Sequence, residues 1–180
     1  MRTSEDGIIL TEKNRHIRMC IAETLIELLE KKELDQIKIT ELVKRASVSR
    51  MTFYKYYKSK LEVLNDYMYE LVNEYMEDSK KRTDIGGFHE YEHICHCFYF
   101  FQRFSHNIQI LIKADLYSII INALNNYMDE YVLPNYQRTK YDLYYYAGAL
   151  CNTYIQWIEF GMKESPEYIS SIVYKHLSLS

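Results

Sequence analysis

Helix-breaking residues are almost absent from this chain. Its 180 residues include five glycines (Gly7, Gly86, Gly87, Gly148, Gly161) and two prolines (Pro134, Pro166). A glycine costs a helix interior about 1 kcal/mol and a proline about 3 kcal/mol relative to alanine, so where they occur they punctuate helices. The stretch from Ile8 to Ile85 contains neither, and Val, Ile and Thr do not fall into the alternating runs that make strands. The expected fold class is therefore all-α, with about nine helices. A composition 48% hydrophobic and 26% charged supports a buried core rather than a disordered chain.

The apolar spacing divides those helices. Ile17, Ile21, Thr24, Leu25 and Leu28 form one stripe of a first helix from about Thr11 to Lys32, followed by a connector, Glu33 to Gln36. Thr40 is expected to cap a short helix over Glu41 to Ala46, and Ser49 a third one to Tyr57, with only Ser47-Val48-Ser49 between them. Ser59 and Glu62 read as a capping box opening a long fourth helix, with Leu61, Leu64, Met68, Leu71 and Tyr75 on its buried face. That helix should end near Lys80-Lys81-Arg82, before the break at Gly86-Gly87. Further helices are expected at about 88–105, 107–114, 116–132 and 138–162, the last introduced by Thr139 and Asp142. Ser165-Pro166 starts a final helix, with proline at the tolerated first position. The domains implied are a three-helix head, 1–60, and a helical body, 61–180.

Charge separates the same two parts. Residues 1–60 carry 13 Lys/Arg against 9 Asp/Glu, whereas 61–180 carry 9 against 16. Within 42–61 stand Lys44, Arg45, Arg50, Lys55, Lys58 and Lys60 and no acidic residue. A basic end on an acidic body points to a polyanion met at one end only. Enzymatic chemistry is not expected: the glycine positions allow neither a P-loop nor GxGxxG, and GxSxG and HExxH are absent. No stretch has the length to span a bilayer and the N-terminus lacks a signal-peptide pattern, so a cytoplasmic protein without membrane contact is expected. Cys20, Cys95, Cys97 and Cys151 show no CxxC spacing and read as reduced thiols.

Two short helices joined by a three-residue turn, over 40–57, are the pattern of a helix-turn-helix, whose second helix enters the major groove of DNA. Leu42, Val43, Ala46, Val48 and Phe53 are spaced to pack inward, leaving Arg50, Thr52, Lys55 and Tyr56 outward. Arg50 has the donors for guanine O6 and N7, while Met51 and Thr52 offer apolar contact to a thymine methyl. Thr40, Tyr54 and Tyr56 carry hydroxyls suited to phosphate oxygens, and Ser49 begins the same helix. Lys60 falls in the first turn of the fourth helix, where the macrodipole disfavours a cation unless a phosphate docks there.

The stretch from Ile39 to Lys60, ITELVKRASVSRMTFYKYYKSK, resembles the signature of TetR-like (TetR/AcrR) transcriptional regulators within a match over about 14–65. Ser47 stands where that family usually has a turn glycine, which asks Ser47 for a left-handed backbone. Met51 stands where a small residue is common. The resemblance implies an all-α homodimer with DNA-binding heads and a body that binds a small effector or a protein partner. It implies DNA contacts from Thr40, Arg50, Met51, Tyr54, Lys55, Tyr56 and Lys60. The expected function is a sequence-specific regulator, a repressor on a palindromic operator. The alternative is a protein-binding co-regulator or activator without a small-molecule effector. Trp157 to Glu167 resembles a subgroup of these regulators, some of which lack an obvious small-molecule ligand.

In the body, Leu143, Ala147, Leu150, Tyr154, Trp157 and Ile158 form a helical stripe. It can serve a four-helix dimer interface or the protomer's own core. Nineteen tyrosines are unusual. Phe98, Phe101, Tyr117, Tyr127, Tyr145 and Trp157 are candidates for an aromatic ligand pocket, against the alternative of a filled Tyr-rich core. His89, His93, His96 and Cys97 have the spacing to share one helix face, but crowded on one helix they make a poor metal set, and neither metal nor cofactor is expected.

Overall fold

The computed structural model describes residues 12–137 and 139–177, and among these it is helical with no strand. The chain divides into two compact units, Met1–Tyr69 and Glu70–Ser180, here the head and the body.

The head contains α1 (Glu12–Leu29), a 3-10 turn at Leu34–Gln36, α2 (Ile39–Arg45), α3 (Arg50–Tyr56) and the start of α4 (Lys60–Lys80). The expected first residue of α1, Thr11, lies outside the described residues. The stripe of α1 is inward as its spacing predicts, with Ile21, Leu25 and Leu28 buried. One expectation fails at α2. The amides of Glu41 and Leu42 both donate to the Lys38 carbonyl, at 3.0 Å each, so the helix starts at Ile39 and Lys38 is its cap residue. Thr40 therefore sits inside the first turn and caps nothing.

The turn between α2 and α3 is a Schellman end. The Ser47 amide donates to Lys44 O at 3.3 Å and the Val48 amide to Val43 O at 2.9 Å. Ser47 takes the left-handed backbone, φ 54°, that the substitution of a turn glycine requires. The same device ends α6 at Asp115, φ 58°, again without glycine. Ser49 then caps α3 by accepting the Thr52 amide at 2.9 Å. At α4 the Glu62 amide donates to Ser59 Oγ at 3.2 Å, but the Glu62 carboxylate accepts from the Lys58 amide, at 2.7 Å, and not from that of Ser59. Leu64, Met68, Leu71 and Tyr75 of α4 are buried as expected, whereas Leu61 is exposed.

The body contains the rest of α4, then α5 (Tyr91–Gln102), α6 (Ser105–Lys113), α7 (Tyr117–Tyr127), α8 (Lys140–Glu159) and α9 (Pro166–Leu177). One π turn, Met128–Val132, and a 3-10 turn at Pro134 end α7. The Asp142 carboxylate accepts the Thr139 amide at 3.0 Å, which fixes the start of α8. Helix α5 lies beside α9, and α7 beside α8. Ile94, Phe98, Met128, Leu143, Ala147 and Trp157 form the centre of the body's core. The indole N–H of Trp157 donates to Glu164 O at 3.0 Å, so the one polar atom of that ring is satisfied.

The left-handed backbone of Ser47 yields a direct test. Ser47→Gly removes the Cβ penalty at that position and is expected to stabilise the protein by up to about 1 kcal/mol. The thermal midpoint should rise; a lowered midpoint would contradict the turn geometry.

Candidate nucleic-acid interface

A seven-residue helix is too short to persist in water on its own, so α3 depends on what it packs against. Phe53 is fully buried and Tyr56 and Tyr57 nearly so. Their rings meet at centroid distances of 5.9 Å (Phe53–Tyr57) and 6.2 Å (Tyr56–Tyr57). Burying the inner face leaves Arg50, Met51, Tyr54 and Lys55 on the outer one, since positions i, i+1, i+4 and i+5 share a side of a helix. Met51 is 85% exposed and Tyr54 48% exposed. A largely exposed methionine beside a cation and a phenol is a surface with donors, an apolar tip and a hydroxyl together, the inventory that base edges and phosphates require.

The cations of this surface lean on its rings. The Arg50 guanidinium is 5.9 Å from the centroid of Tyr54, and the Lys55 ammonium 5.4 Å from that of Tyr56. Among the other sequence candidates, Thr40 is exposed in the first turn of α2. Ser49 and Thr52 are tied together, their hydroxyls 2.8 Å apart, in the cap of α3. Tyr56 is a correction: it does not face outward but is buried, because the ring follows Phe53 onto the inner face.

Lys60 has an internal explanation that the sequence did not disclose. Its ammonium donates to the Ile37 carbonyl at 2.7 Å and also to that of Leu34. These carbonyls lie at and just beyond the 3-10 turn, so a cation unfavourable to its own helix is matched to acceptors of another segment. Of the remaining basic residues, Arg45 pairs with Glu27 at 3.1 Å, at the surface. The basic cluster thus supplies fewer outward charges than its count suggests.

Three residues of the head escaped the sequence reading: Arg18, Asp66 and Tyr57, which meet in the interior. Arg18 and Asp66 form an ion pair at 2.5 Å, and the Tyr57 hydroxyl donates to the same carboxylate oxygen at 2.7 Å. Burial first, and the Asp66 carboxylate second, push the Tyr57 phenol far above its ordinary range, so it remains a donor. The available signal was Arg18 itself, a charge at i−3 and i−7 from the buried Ile21 and Leu25.

In the body, a cavity of ≈ 30 Å³ is lined by Val72, Ile94, Phe101, Leu124, Tyr127 and Met128 among others. That is room for about one water, far below the several hundred Å³ of a drug-sized site. Of the candidate ligand residues, Phe101 and Tyr127 line it. Phe98 and Trp157 are packed in the core instead, Tyr145 faces solvent, and Tyr117 is partly exposed with its side chain hydrogen-bonded to that of the buried Cys151. Burial pushes the Tyr127 phenol up to about 12 and the Cys97 thiol up to about 12, so both are neutral at ordinary pH and Cys97 is not a reactive thiolate.

The stripe of α8 takes the second of its two readings, the chain's own core. Leu143, Ala147, Leu150 and Ile158 are buried within the single chain, because α8 turns that face toward its own core. Tyr154 is half-buried, its hydroxyl donating to Phe101 O at 2.7 Å. The face of α8 left open carries Tyr141 and Tyr145, with Phe160 following the helix and Tyr168 and Ile172 on α9.

The four His/Cys positions separate in a similar way. His89 precedes α5 and lies 3.4 Å from Glu90, while His93 Nδ1 is 3.2 Å from the Gly86 carbonyl. His96 stacks on Tyr75, with Nε2 3.3 Å from the Asp78 carboxylate but not aligned for a hydrogen bond. Burial holds both His93 and His96 below the ordinary imidazole range. Among the described residues no group of three or more His, Cys, Asp or Glu is placed to hold a metal ion.

Comparison with known proteins agrees with this architecture. Residues 21–67 match the model of bacterial regulatory proteins of the tetR family, and residues 88–178 match that of a transcriptional regulator C-terminal region of the same family. The chain belongs to the TetR family of helix-turn-helix, DNA-binding transcription regulators. Lin0861 from Listeria innocua shares the fold with a TM-score of 0.80 at 12% identity, over 96% of this chain and 94% of that one. A TetR transcriptional regulator from Streptococcus agalactiae shares it at 0.60 and 19% identity, over 92% and 97%. The dihydroxyacetone kinase operon activator DhaS does so at 0.58 and 20% identity, over 91% and 94%. No curated protein sequence matches the chain. Among the described residues no helix is long and apolar enough to cross a membrane.

The inward role of Lys60 separates structure from DNA contact. Lys60→Met keeps the stem but takes the ammonium from the Ile37 carbonyl and leaves the Leu34 carbonyl only the Ile37 amide, and is expected to cost about 1–3 kcal/mol in the absence of any DNA. Chemical denaturation measures this; unchanged stability would leave phosphate contact as the sole reason for the residue.

Proposed function

We propose that the chain binds double-stranded DNA sequence-specifically as a homodimer on a palindromic operator and acts as a repressor. A ligand or protein at the body controls it, and it is not an enzyme. The observation that carries this reading is the outer face of α3, where Arg50, Met51, Tyr54 and Lys55 stand together while the inner face is fully used in packing. Arg50 reads guanine, and Met51 contacts a thymine methyl. Tyr54, Lys55 and Thr40 hold phosphates, and Lys60 adds a phosphate contact only through donor capacity left over from its two carbonyls. Ser49 and Thr52 act mainly by fixing where α3 begins.

The homodimer rests on the aromatic face of α8 and α9, where Tyr145 is 68% and Phe160 67% exposed. Exposed apolar rings are what a twofold interface covers, and two heads on one duplex give the affinity that one lacks. A protein partner or an activating role is the second reading. It is favoured by the small size of the cavity that Phe101 and Tyr127 line, which holds about one water. One relative of the same fold carries the name of an operon activator.

The test is fluorescence anisotropy on DNA from upstream of its own gene and on duplexes selected from a random pool. The native protein should select a two-half-site palindrome. Arg50→Ala should cost about 1–3 kcal/mol and relax one base position, and Lys55→Ala should weaken all duplexes alike and reduce the salt slope by about one. Tyr145→Asp should yield monomers by analytical ultracentrifugation and lose the palindrome preference. Equal affinity for every duplex, untouched by Arg50→Ala, would defeat the proposal.

A further inference from the structure

Asp66 is 3% exposed and Arg18 2% exposed, so their ion pair is removed from water. Arg18 Nε also donates to Asn14 Oδ1 at 3.3 Å. Three elements converge on one carboxylate oxygen, Asp66 Oδ2: α1 through Arg18, α4 through Asp66 itself, and the end of α3 through Tyr57. Tyr57 is the C-cap of α3. Its amide donates to Phe53 O at 3.0 Å and its backbone is extended, φ −140° and ψ 137°.

A buried ion pair is a weak source of stability, because desolvating both charges costs about as much as their attraction returns. What it supplies is direction. The burial of Phe53 holds α3 against the head but tolerates small rotations of the helix, since apolar contact is not directional. The bond from Tyr57 tolerates them poorly, because hydrogen bonds weaken steeply with misalignment. Rotation is also what base reading tolerates least. A bidentate Arg50–guanine contact needs both donors in register, whereas a phosphate accepts a cation over a wide range of angles.

We infer that Asp66, held by Arg18, is a positioning residue that sets the rotation of α3 through Tyr57 and thereby the bases that Arg50 and Met51 meet. This rests on the DNA-reading proposal above. Its consequence is that the hub governs the ratio of specific to non-specific affinity more than affinity as a whole.

Tyr57→Phe tests it, since the variant keeps the ring and leaves Asp66 paired with Arg18, and so should fold. Two readouts are taken: amide hydrogen exchange of the free protein, and binding to a selected palindrome against an unrelated duplex. Exchange should quicken within α3 but not in α1, and the affinity ratio should fall about five- to tenfold with non-specific binding unchanged. A second variant, Arg18→Met with Tyr57→Phe and Asp66→Leu, replaces the hub by apolar side chains. It should remain folded and show the same lowered ratio. Unchanged α3 exchange with an unchanged ratio in either variant overturns the inference. Exchange quickened uniformly across the head also overturns it, since the hub is then only a source of stability. If the native protein prefers no sequence, the DNA-reading proposal fails, and the exchange of α3 alone decides whether the hub positions that helix.

Discussion

Seven residues make too few helical hydrogen bonds to offset the cost of nucleating a helix, and that constraint shapes the whole head. Helix α3 persists because Ser49 satisfies an amide at its start, because Phe53, Tyr56 and Tyr57 are buried along one side, and because Tyr57 is tied down at its end. Every side chain so used is unavailable to DNA. The reading surface is what remains, and its smallness follows from the shortness of the helix. In return, the few exposed residues are carried on a support whose position is set at both ends, as a site that must match base edges requires.

Charge in this region is distributed by role. Arg45 meets Glu27 on α1, Lys60 turns inward to two carbonyls, Arg50 lies over the exposed ring of Tyr54 and Lys55 over the buried ring of Tyr56. Cation–ring contacts hold long side chains near one orientation without removing their donors from solvent. The surface ion pair is worth little. The inward lysine and the buried Arg18–Asp66 pair do more to place elements, because each has a directional bond that a slipped arrangement would break.

Much of the head was legible because its signals are local. The resemblance to a family with glycine at that turn implied a left-handed Ser47, the position of Ser49 implied a cap, and the spacing of Phe53 implied an inner face; all three are present. What was not legible depends on contacts remote in sequence. Tyr57 and Arg18 are far apart in the chain, and nothing near either says that they share a carboxylate. The start of α2 shifted because Lys38 supplies the first helical carbonyl, which side-chain chemistry at Thr40 cannot reveal. In α8 the aromatic and aliphatic residues cover more than one face, so periodicity alone could not say which faces the chain's own core. The structure assigns Leu143, Ala147 and Ile158 to that core and leaves Tyr141 and Tyr145 outside. The candidate pocket residues divided for the same reason: bulk and aromaticity are shared by a filled core and a lined cavity.

The central claim is that the outer face of α3 is where the protein meets DNA. Amide and side-chain NMR shifts of the isotope-labelled protein, followed during titration with a selected duplex, address it directly. The largest changes are expected at Arg50, Met51, Tyr54 and Lys55, including the Met51 methyl, with smaller ones at Thr40. Changes concentrated on the exposed rings of α8 and α9, with the Met51 methyl and the α3 amides unmoved, would contradict it.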